Sequence, residues 1–281
     1  MKGKVVQILL IVLLIFATTL VGCAKTSVHP PLSINSRYAI LLEIFSYPSG
    51  QAFLETSPKL LAIHDFLIEQ KIPQENILVL SYTNATYENF QKAVNKIATE
   101  ADEDDLVFIS LDSMGNGQGA FGFYQKNDTC EYGCELMVPY SELSKLLDKI
   151  KAKIVEEIIG CSSYQAIEPM KGENRVVITT TFSRFDNEFK KTLGIQSNWF
   201  DYYENRYPDV YALNTALIQL DKDGNGHTSI NEAFQYAKTL TTEMVKEDVK
   251  AGDILEEEVP NFLKIDISNT ELASELYLTQ M

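Results

Sequence analysis

The hydrophobic positions in the first half of this chain alternate between continuous runs of strand length and runs with helical spacing. Residues 38–45, 77–82 and 106–111 are apolar stretches that predict strands, and the first is continuous enough to predict burial on both faces. Residues 58–68 and 86–99 carry apolar side chains three and four positions apart, which predicts a helix after each of the first two strands. This alternation is typical of right-handed crossovers, so we predict an α/β fold with a parallel sheet.

The second half of the chain adds a predicted hairpin and further strands and helices. Residues 120–124 and 135–138 predict the hairpin, and Ser141 is the predicted cap of a helix that reaches about residue 152. The remaining segments are predicted strands over 154–159 and 175–180, predicted helices over 210–220 and 233–244, and an apolar region over 256–278 of undecided type. The prediction is therefore a mainly parallel sheet with helices on both faces.

The charge balance disfavours nucleic acid as a partner. The chain has 281 residues, with 24 Lys plus Arg against 39 Asp plus Glu and a net charge of −15. No run of basic residues could follow a phosphate backbone. We interpret the acidic surface as a means of solubility rather than of steering a ligand.

The first residues predict export and lipidation. Lys2 and Lys4 precede a short apolar run over 8–17 that is typical of a signal peptide. Leu20-Val21-Gly22-Cys23 then resembles the bacterial lipobox; the alternative is an ordinary signal peptide with a chance cysteine. We predict a signal peptide over 1–22, a lipidated tether over 23–36 and one domain over 37–281.

Acylation of Cys23, by palmitate for example, would hold the protein on a membrane of the bacterial cell envelope, facing the periplasm or the exterior. Export implies an oxidising compartment, so Cys130 and Cys134 are candidates for a disulfide, although free thiols remain an alternative. The cysteines have no nearby histidine, so zinc is not predicted.

A twelve-residue stretch over 221–232, DKDGNGHTSINE, has the spacing of an EF-hand loop. Ca²⁺ prefers oxygen ligands on several sides, and Gly226 suits the sharp turn at the sixth position. The predicted ligands are the side chains of Asp221, Asp223, Asn225, Ser229 and Glu232 with the backbone carbonyl of His227. The prediction is an EF-hand-type helix-loop-helix near the C-terminus; the alternative is a surface turn that binds nothing.

Three segments in sequence order, DDLVFISLDSMG, VEEIIGCSS and NRVVITTT, resemble the caspase and legumain-like cysteine peptidases. In that superfamily an acidic and then apolar strand ends in His-Gly, and a later strand ends in the catalytic cysteine. The resemblance spans about residues 38–240 and implies the caspase-like fold. It places Met114 at the histidine position, Gly115 at the glycine and Cys161 at the nucleophile.

The residue at position 114 changes the chemistry that the resemblance implies. A free thiol is only a small fraction thiolate at neutral pH and requires a nearby base, which the thioether of Met114 cannot supply. Ile159 and Tyr164 also depart from the acidic residue and the glycine that are frequent at those positions. The alternative role of Cys161, which we favour, is that of a small apolar residue that closes a buried strand.

These residues leave three functions open. The first is a lipid-anchored, calcium-binding pseudopeptidase that acts in binding or scaffolding, with a peptide or protein ligand held by residues 112–119 and 160–164. The second is an active cysteine endopeptidase in which Cys161 is activated by another group, such as Asp112. The third is a structural surface lipoprotein whose Ca²⁺ only stabilises the fold.

Overall fold

The computed structural model describes residues 32–44, 58–113, 118–125, 134–160, 162–180, 223–252, 255–257, 259–262 and 264–277. Within these residues, a six-stranded sheet has the order β2-β1-β3-β6-β7-β8. Its strands are β1 Arg37–Glu43, β2 Ile77–Ser81, β3 Leu106–Asp112, β6 Lys153–Ile159, β7 Arg175–Thr180 and β8 Asp266–Ile267. Neighbouring strands are parallel from β2 to β7, and only the short β8 is antiparallel to its neighbour. The predicted α/β fold with a mainly parallel sheet is confirmed.

The central strands are buried on both faces, as their continuous apolar runs predict. Every residue of β3 is buried, and six of the seven residues of β1 are buried. Both faces are covered because each βαβ crossover places a helix against the sheet. The buried side chains accordingly form two hydrophobic clusters, one on each side of the sheet.

Helices lie on both faces of the sheet. On one face the hydrophobic cluster includes side chains of α2 Tyr87–Glu100, α3 Tyr140–Leu147 and the single turn α4 Ile167–Met170. On the other face it includes side chains of α1 Pro58–Glu69, α5 Ile230–Ala251 and α7 Thr270–Glu275. A further turn, α6 Val259–Phe262, precedes β8. The helix α2 begins where Thr86 accepts a hydrogen bond from the backbone N–H of Asn89, which is an ordinary N-cap.

The predicted hairpin is present as β4 Ala120–Gln125 and β5 Cys134–Pro139, which pair antiparallel. It packs against α2 through aromatic rings: the ring centroids of Phe123 lie 5.2 Å from Tyr87 and 5.5 Å from Phe90. The hairpin is therefore a part of the domain core rather than a separate unit.

Several boundaries differ from the sequence prediction. The helix assigned to residues 141–152 begins at Tyr140 and ends at Leu147, so Ser141 is not its cap. The helix α5 begins at Ile230, inside the range 221–232, and runs past residue 244 to Ala251. The undecided region 256–278 forms α6, β8 and α7. The predicted helix over 210–220 lies outside the described residues.

The end of the segment predicted as a tether contacts the domain. The backbone N–H of Leu32 donates to the carbonyl of Glu275 at 3.1 Å, and that of Ser36 donates to the carboxylate of Asp105 at 2.8 Å. Leu32 and Ile34 also pack against one hydrophobic cluster. Among the described residues, no helix has the length and apolar character needed to cross a membrane.

Candidate functional site

The carboxyl ends of three central strands meet at one edge of the sheet. Glu43 of β1 is in register with Asp112 of β3, which is in register with Ile159 of β6. The pairing continues past the strands, because the N–H of Ser113 donates to the carbonyl of Ile159 at 3.1 Å. Met114 and Cys161 lie outside the described residues, each one position beyond the neighbouring residues Ser113 and Gly160. The register therefore brings together the two chain segments that the resemblance singles out.

This edge also contains the point where the strand order reverses. From β1 the chain crosses to β2 on one side and then to β3 on the other. In open α/β sheets such a reversal leaves a crevice outside the carboxyl ends of the two strands, which is where ligands bind. The ends of β1 and β3 carry Glu43 and Asp112 at this reversal.

The turn after β6 has an unusual backbone conformation. Ser162 has φ of 61° and lies in the left-handed region, which residues with a side chain seldom adopt. The turn closes when the N–H of Ser163 donates to the carbonyl of Gly160 at 3.1 Å, and a short 3₁₀ helix, Ser163–Ala166, follows. Backbone strain of this kind is concentrated at functional sites.

Two buried hydroxyl groups border the same edge. Ser113 is 4% exposed and Ser163 is fully buried, and neither hydroxyl forms a hydrogen bond. An unsatisfied buried polar group costs free energy, about 1–3 kcal/mol in mutational data, so such groups usually have a reason to persist. A ligand that reaches this edge would find two hydrogen-bonding groups there.

Buried carboxylates occupy one face of the sheet near this edge. Glu43, Asp112 and Glu157 are at most 9% exposed, and each lies on the same face of its strand as the apolar residues that pack against α1 and α5. The hydroxyl of Ser110 donates to the carboxylate of Glu157 at 3.5 Å. Sequence reasoning missed Glu43 and Glu157; the available signal was a charged residue inside each of two apolar runs.

Glu156 lies on the opposite face of β6 and is a separate feature. It is fully buried, and neither carboxylate oxygen has a hydrogen-bond partner. Burial raises the pKa of Glu156 to about 8, while the positive charge of Arg175 on β7 opposes that rise. Burial and the nearby Glu156 carboxyl also raise the pKa of Tyr140, on α3, to about 12. This carboxyl group is three residues inside the strand and is not a part of the carboxyl edge.

At the rim of this edge, side chains of the 3₁₀ helix after β6 lie close to two other segments, the loop before β4 and the residues before β8. Tyr164, which is 37% exposed, accepts a hydrogen bond from the side-chain amide of Gln165 at 3.5 Å. On the other side Gln165 lies close to Gly119, where an added Cβ would be 3.5 Å from the amide oxygen. The ammonium group of Lys264 lies 4.4 Å from the centroid of the Tyr164 ring. Sequence spacing could not reveal this contact, because Lys264 is 100 positions from Tyr164 (264 − 164).

The described part of the predicted calcium loop covers residues 223–232, and its last three residues, 230–232, form the first turn of α5. Gly224 and Gly226 have φ of 77° and 89°, which gives a turn that glycine adopts readily. Asn225 donates to the carboxylate of Asp223 at 3.0 Å and accepts from the N–H of His227 at 2.8 Å. Asp221, the first predicted ligand, lies outside the described residues.

The end of that loop forms a capping box. Ser229 accepts from the N–H of Glu232, whose carboxylate accepts from the N–H of Ser229 at 2.9 Å. The Glu232 carboxylate is therefore directed back from the first turn of α5 toward the loop. Within the described residues, no three His, Cys, Asp or Glu side chains are grouped so as to hold a metal ion.

The other predicted site residues are placed as follows. His64 and His227 are the two histidines of the described chain; the first contacts Asp65 at 3.1 Å, and the second packs edge-on against Tyr277 with ring centroids 5.6 Å apart. Cys134 is the first residue of β5, and Cys23 and Cys130 lie outside the described residues. The suggested disulfide and the lipidation therefore stay predictions.

Comparison with known proteins gives no functional assignment. No protein-family model matches this chain, and no curated protein sequence matches it either. Among solved structures, it is similar to the crystal structure of protein GSU0716 from Geobacter sulfurreducens, with 12% sequence identity and a TM-score of 0.40. That match covers 75% of this chain and 89% of the Geobacter chain.

Proposed function

We propose that this chain is a lipid-anchored, calcium-binding member of the caspase and legumain-like superfamily that binds a peptide segment without cutting it. The observation that carries the proposal is the parallel register of β3 and β6. Because Asp112 pairs with Ile159, the segments that hold Met114 and Cys161 leave the sheet side by side. This is the chain arrangement that the resemblance requires for a base and a nucleophile.

The residue types at that edge favour binding over hydrolysis. A cysteine thiol with an ordinary pKa near 8.5 needs an imidazole to form the thiolate and to protonate the leaving group. Met114 stands at the position of that imidazole. Of the two histidines in the described chain, His64 contacts Asp65 and His227 packs against Tyr277. Neither histidine lies on β3 or β6, the strands that lead to the candidate site. The unpaired hydroxyls of Ser113 and Ser163 are suited to hydrogen bonds with a peptide main chain.

A thiol-reactive peptide probe tests whether catalysis has been lost. We expect no selective labelling of the wild-type protein and a gain of Cys161-dependent labelling in Met114→His, because the imidazole would restore thiolate formation. Labelling is measured by intact-protein mass spectrometry. Met137→His, on the half-buried β5 position, is the matched control and should not label.

The same experiment distinguishes the alternative enzyme. Selective labelling of the wild-type protein that disappears in Cys161→Ala would contradict the pseudopeptidase and favour an active peptidase with another base. If neither the wild type nor Met114→His labels, while a peptide still binds, the edge serves binding alone.

The calcium part of the proposal rests on the fit of the loop residues. The side chains of Asp223, Asn225, Ser229 and Glu232 provide oxygen atoms within one turn that contains two glycines in the left-handed region. With Asp221 and the carbonyl of His227 they would complete the EF-hand set. Bound Ca²⁺ would neutralise these carboxylates and brace the start of α5, which is a structural role rather than a catalytic one.

A further inference from the structure

Lys264 is a lysine that no carboxylate neutralises within the described part of an acidic protein. Among other described lysines, Lys92, Lys96, Lys171 and Lys250 form an ion pair with a glutamate three or four positions away, whereas Lys149, Lys153 and Lys238 donate to uncharged oxygen atoms. Lys264 is half-buried, and its described contact is instead the ring of Tyr164, 4.4 Å from the ammonium group. A cation–π contact holds an ammonium group in place without cancelling its charge. The position is therefore a local positive charge on a molecule of net charge −15.

This charge is located at the rim of the candidate site. Tyr164 is the second residue of the 3₁₀ helix that follows the strained Ser162, and it directly follows Ser163 in the chain. Gln165, which donates to Tyr164, also lies close to Gly119 on the loop that precedes β4. The chain thus brings Lys264, from the segment before β8, to the turn after β6.

The phenol group adds a second donor. The Tyr164 oxygen accepts from Gln165, which leaves its own O–H able to donate outward. The pKa of Tyr164 is lowered, first by that hydrogen bond and then by the charge of Lys264. An ammonium group and a phenol O–H side by side suit an oxygen anion that accepts from both.

We propose that Lys264 and Tyr164 form a subsite for a carboxylate group of a peptide, either an acidic side chain or a free C-terminus. A singly charged group fits better than a phosphate, because the net charge of −15 opposes each further negative charge on the ligand. This inference rests on the proposed function, since it names the chemistry of the peptide that the edge binds.

Capture from pools of random peptides tests the subsite. The full chain, purified in detergent and immobilised, is offered two pools: one with amidated C-termini and one with free C-termini. Mass spectrometry measures the enrichment of Asp and Glu over Asn and Gln in the first pool, and of free over amidated termini when the pools are mixed. We expect a roughly tenfold enrichment in one of these two arms, as one charge-assisted hydrogen bond would give.

Variants of Lys264 test whether the enrichment depends on the proposed subsite. Lys264→Met should abolish it and Lys264→Arg should retain most of it, while Lys246→Met, which removes an exposed charge from α5, should leave it unchanged. Peptides captured with no carboxylate enrichment, or an equal loss in Lys246→Met, would overturn the subsite but not peptide binding. If no peptide is captured above the blank surface, both the proposed function and this inference are wrong.

Discussion

At the scale of residues, the buried carboxyl group of Glu156 is one source of pH dependence that we expect in the stability of this fold. Its carboxyl group is fully buried on β6, faces Arg175 of β7 and Tyr140 of α3, and has no hydrogen-bond partner. Burial disfavours the charged form, so its pKa is raised from 4.5 to about 8. The folded protein therefore keeps a proton that the unfolded chain releases as the pH rises above 4.5.

The consequence is a loss of stability between pH 4.5 and about 8. In that window the unfolded chain binds fewer protons, so the free energy of unfolding falls as the pH rises, by at most about 1.4 kcal/mol per pH unit from this group. Glu156→Gln mimics the neutral acid, and we expect it to reduce that fall. Urea unfolding at several pH values measures the slope.

Glu271→Gln is the control, because it removes the same charge from an exposed position on α7. This variant should retain the wild-type slope. An unchanged slope in Glu156→Gln would show that Glu156 is ionised in the folded protein at neutral pH.

At the scale of elements, the loop over residues 223–229 and the helix α5 form one unit. The loop is held at its start by Asp223 and at its end by the capping box of Ser229 and Glu232. Asn225 also donates to the hydroxyl of Tyr277 at 2.9 Å, which connects the loop to the residues after α7. Whatever stabilises the loop should therefore stabilise both helices.

Calcium should raise the melting temperature of the wild-type protein. If Ca²⁺ binds the folded protein and not the unfolded chain, it raises the free energy of unfolding. The increase is about 2.7 kcal/mol when the Ca²⁺ concentration is one hundred times the dissociation constant. Asp223→Ala removes a ligand oxygen, so we expect it to abolish most of the rise. Differential scanning calorimetry with millimolar Ca²⁺ and with chelator measures the effect.

The matched control is Glu243→Gln on the exposed side of α5, which should respond to Ca²⁺ as the wild type does. A melting temperature that is the same in Ca²⁺ and in chelator would contradict the calcium site. A rise that is equal in Asp223→Ala would show that the ion binds elsewhere.

The central elements were predictable because their physical signal is local. A parallel strand buried on both faces must be apolar at nearly every position, and the runs 38–42 of β1 and 106–109 of β3 satisfy this in the sequence itself. The two-residue β8 was not predictable, since it forms only because Ile178 and Thr179 offer it an edge. The start of α5 was mislocated because its first turn also belongs to the calcium motif.

The candidate site was predictable only along the strands that lead to it. Sequence order gave the segments that hold Met114 and Cys161, and parallel pairing then follows from the crossovers. Lys264 and Tyr164 meet through tertiary packing, and nothing in their spacing indicates it. Glu43 and Glu157 were visible as charges in apolar runs, but their common face depends on the register.

At the scale of the whole molecule, residues 32–36 hold the start of the described chain against two elements that are distant in sequence. The N–H of Leu32 donates to the carbonyl of Glu275, the last residue of α7, and the N–H of Ser36 donates to Asp105, whose other carboxylate oxygen accepts from the N–H of Asp102 at 3.0 Å. The side chain of Asp105 is 5% exposed, so these bonds are largely sheltered from water.

Two truncations should separate this role from that of the preceding residues. Deleting residues 1–36 removes the bonds to Glu275 and Asp105 and the packing of Leu32 and Ile34, so we expect a loss of a few kcal/mol in the free energy of unfolding. Deleting residues 1–31 keeps these contacts and should leave stability nearly unchanged. Equal stability of the two proteins in urea would contradict a structural role for the segment.

The contact between Leu32 and Glu275 places the start of the described chain beside the residues that adjoin the calcium loop. Leu32 leads into the amino end of the sheet, and Leu276, the residue after Glu275, accepts from the N–H of Ile230 beside the calcium loop. Leu32 is nine positions after Cys23 (32 − 23), and nine steps of extended chain span at most about 30 Å. With lipid on Cys23, the calcium loop would be near the headgroups, and the opposite end, with Lys264 and the strand termini, would point outward to soluble partners.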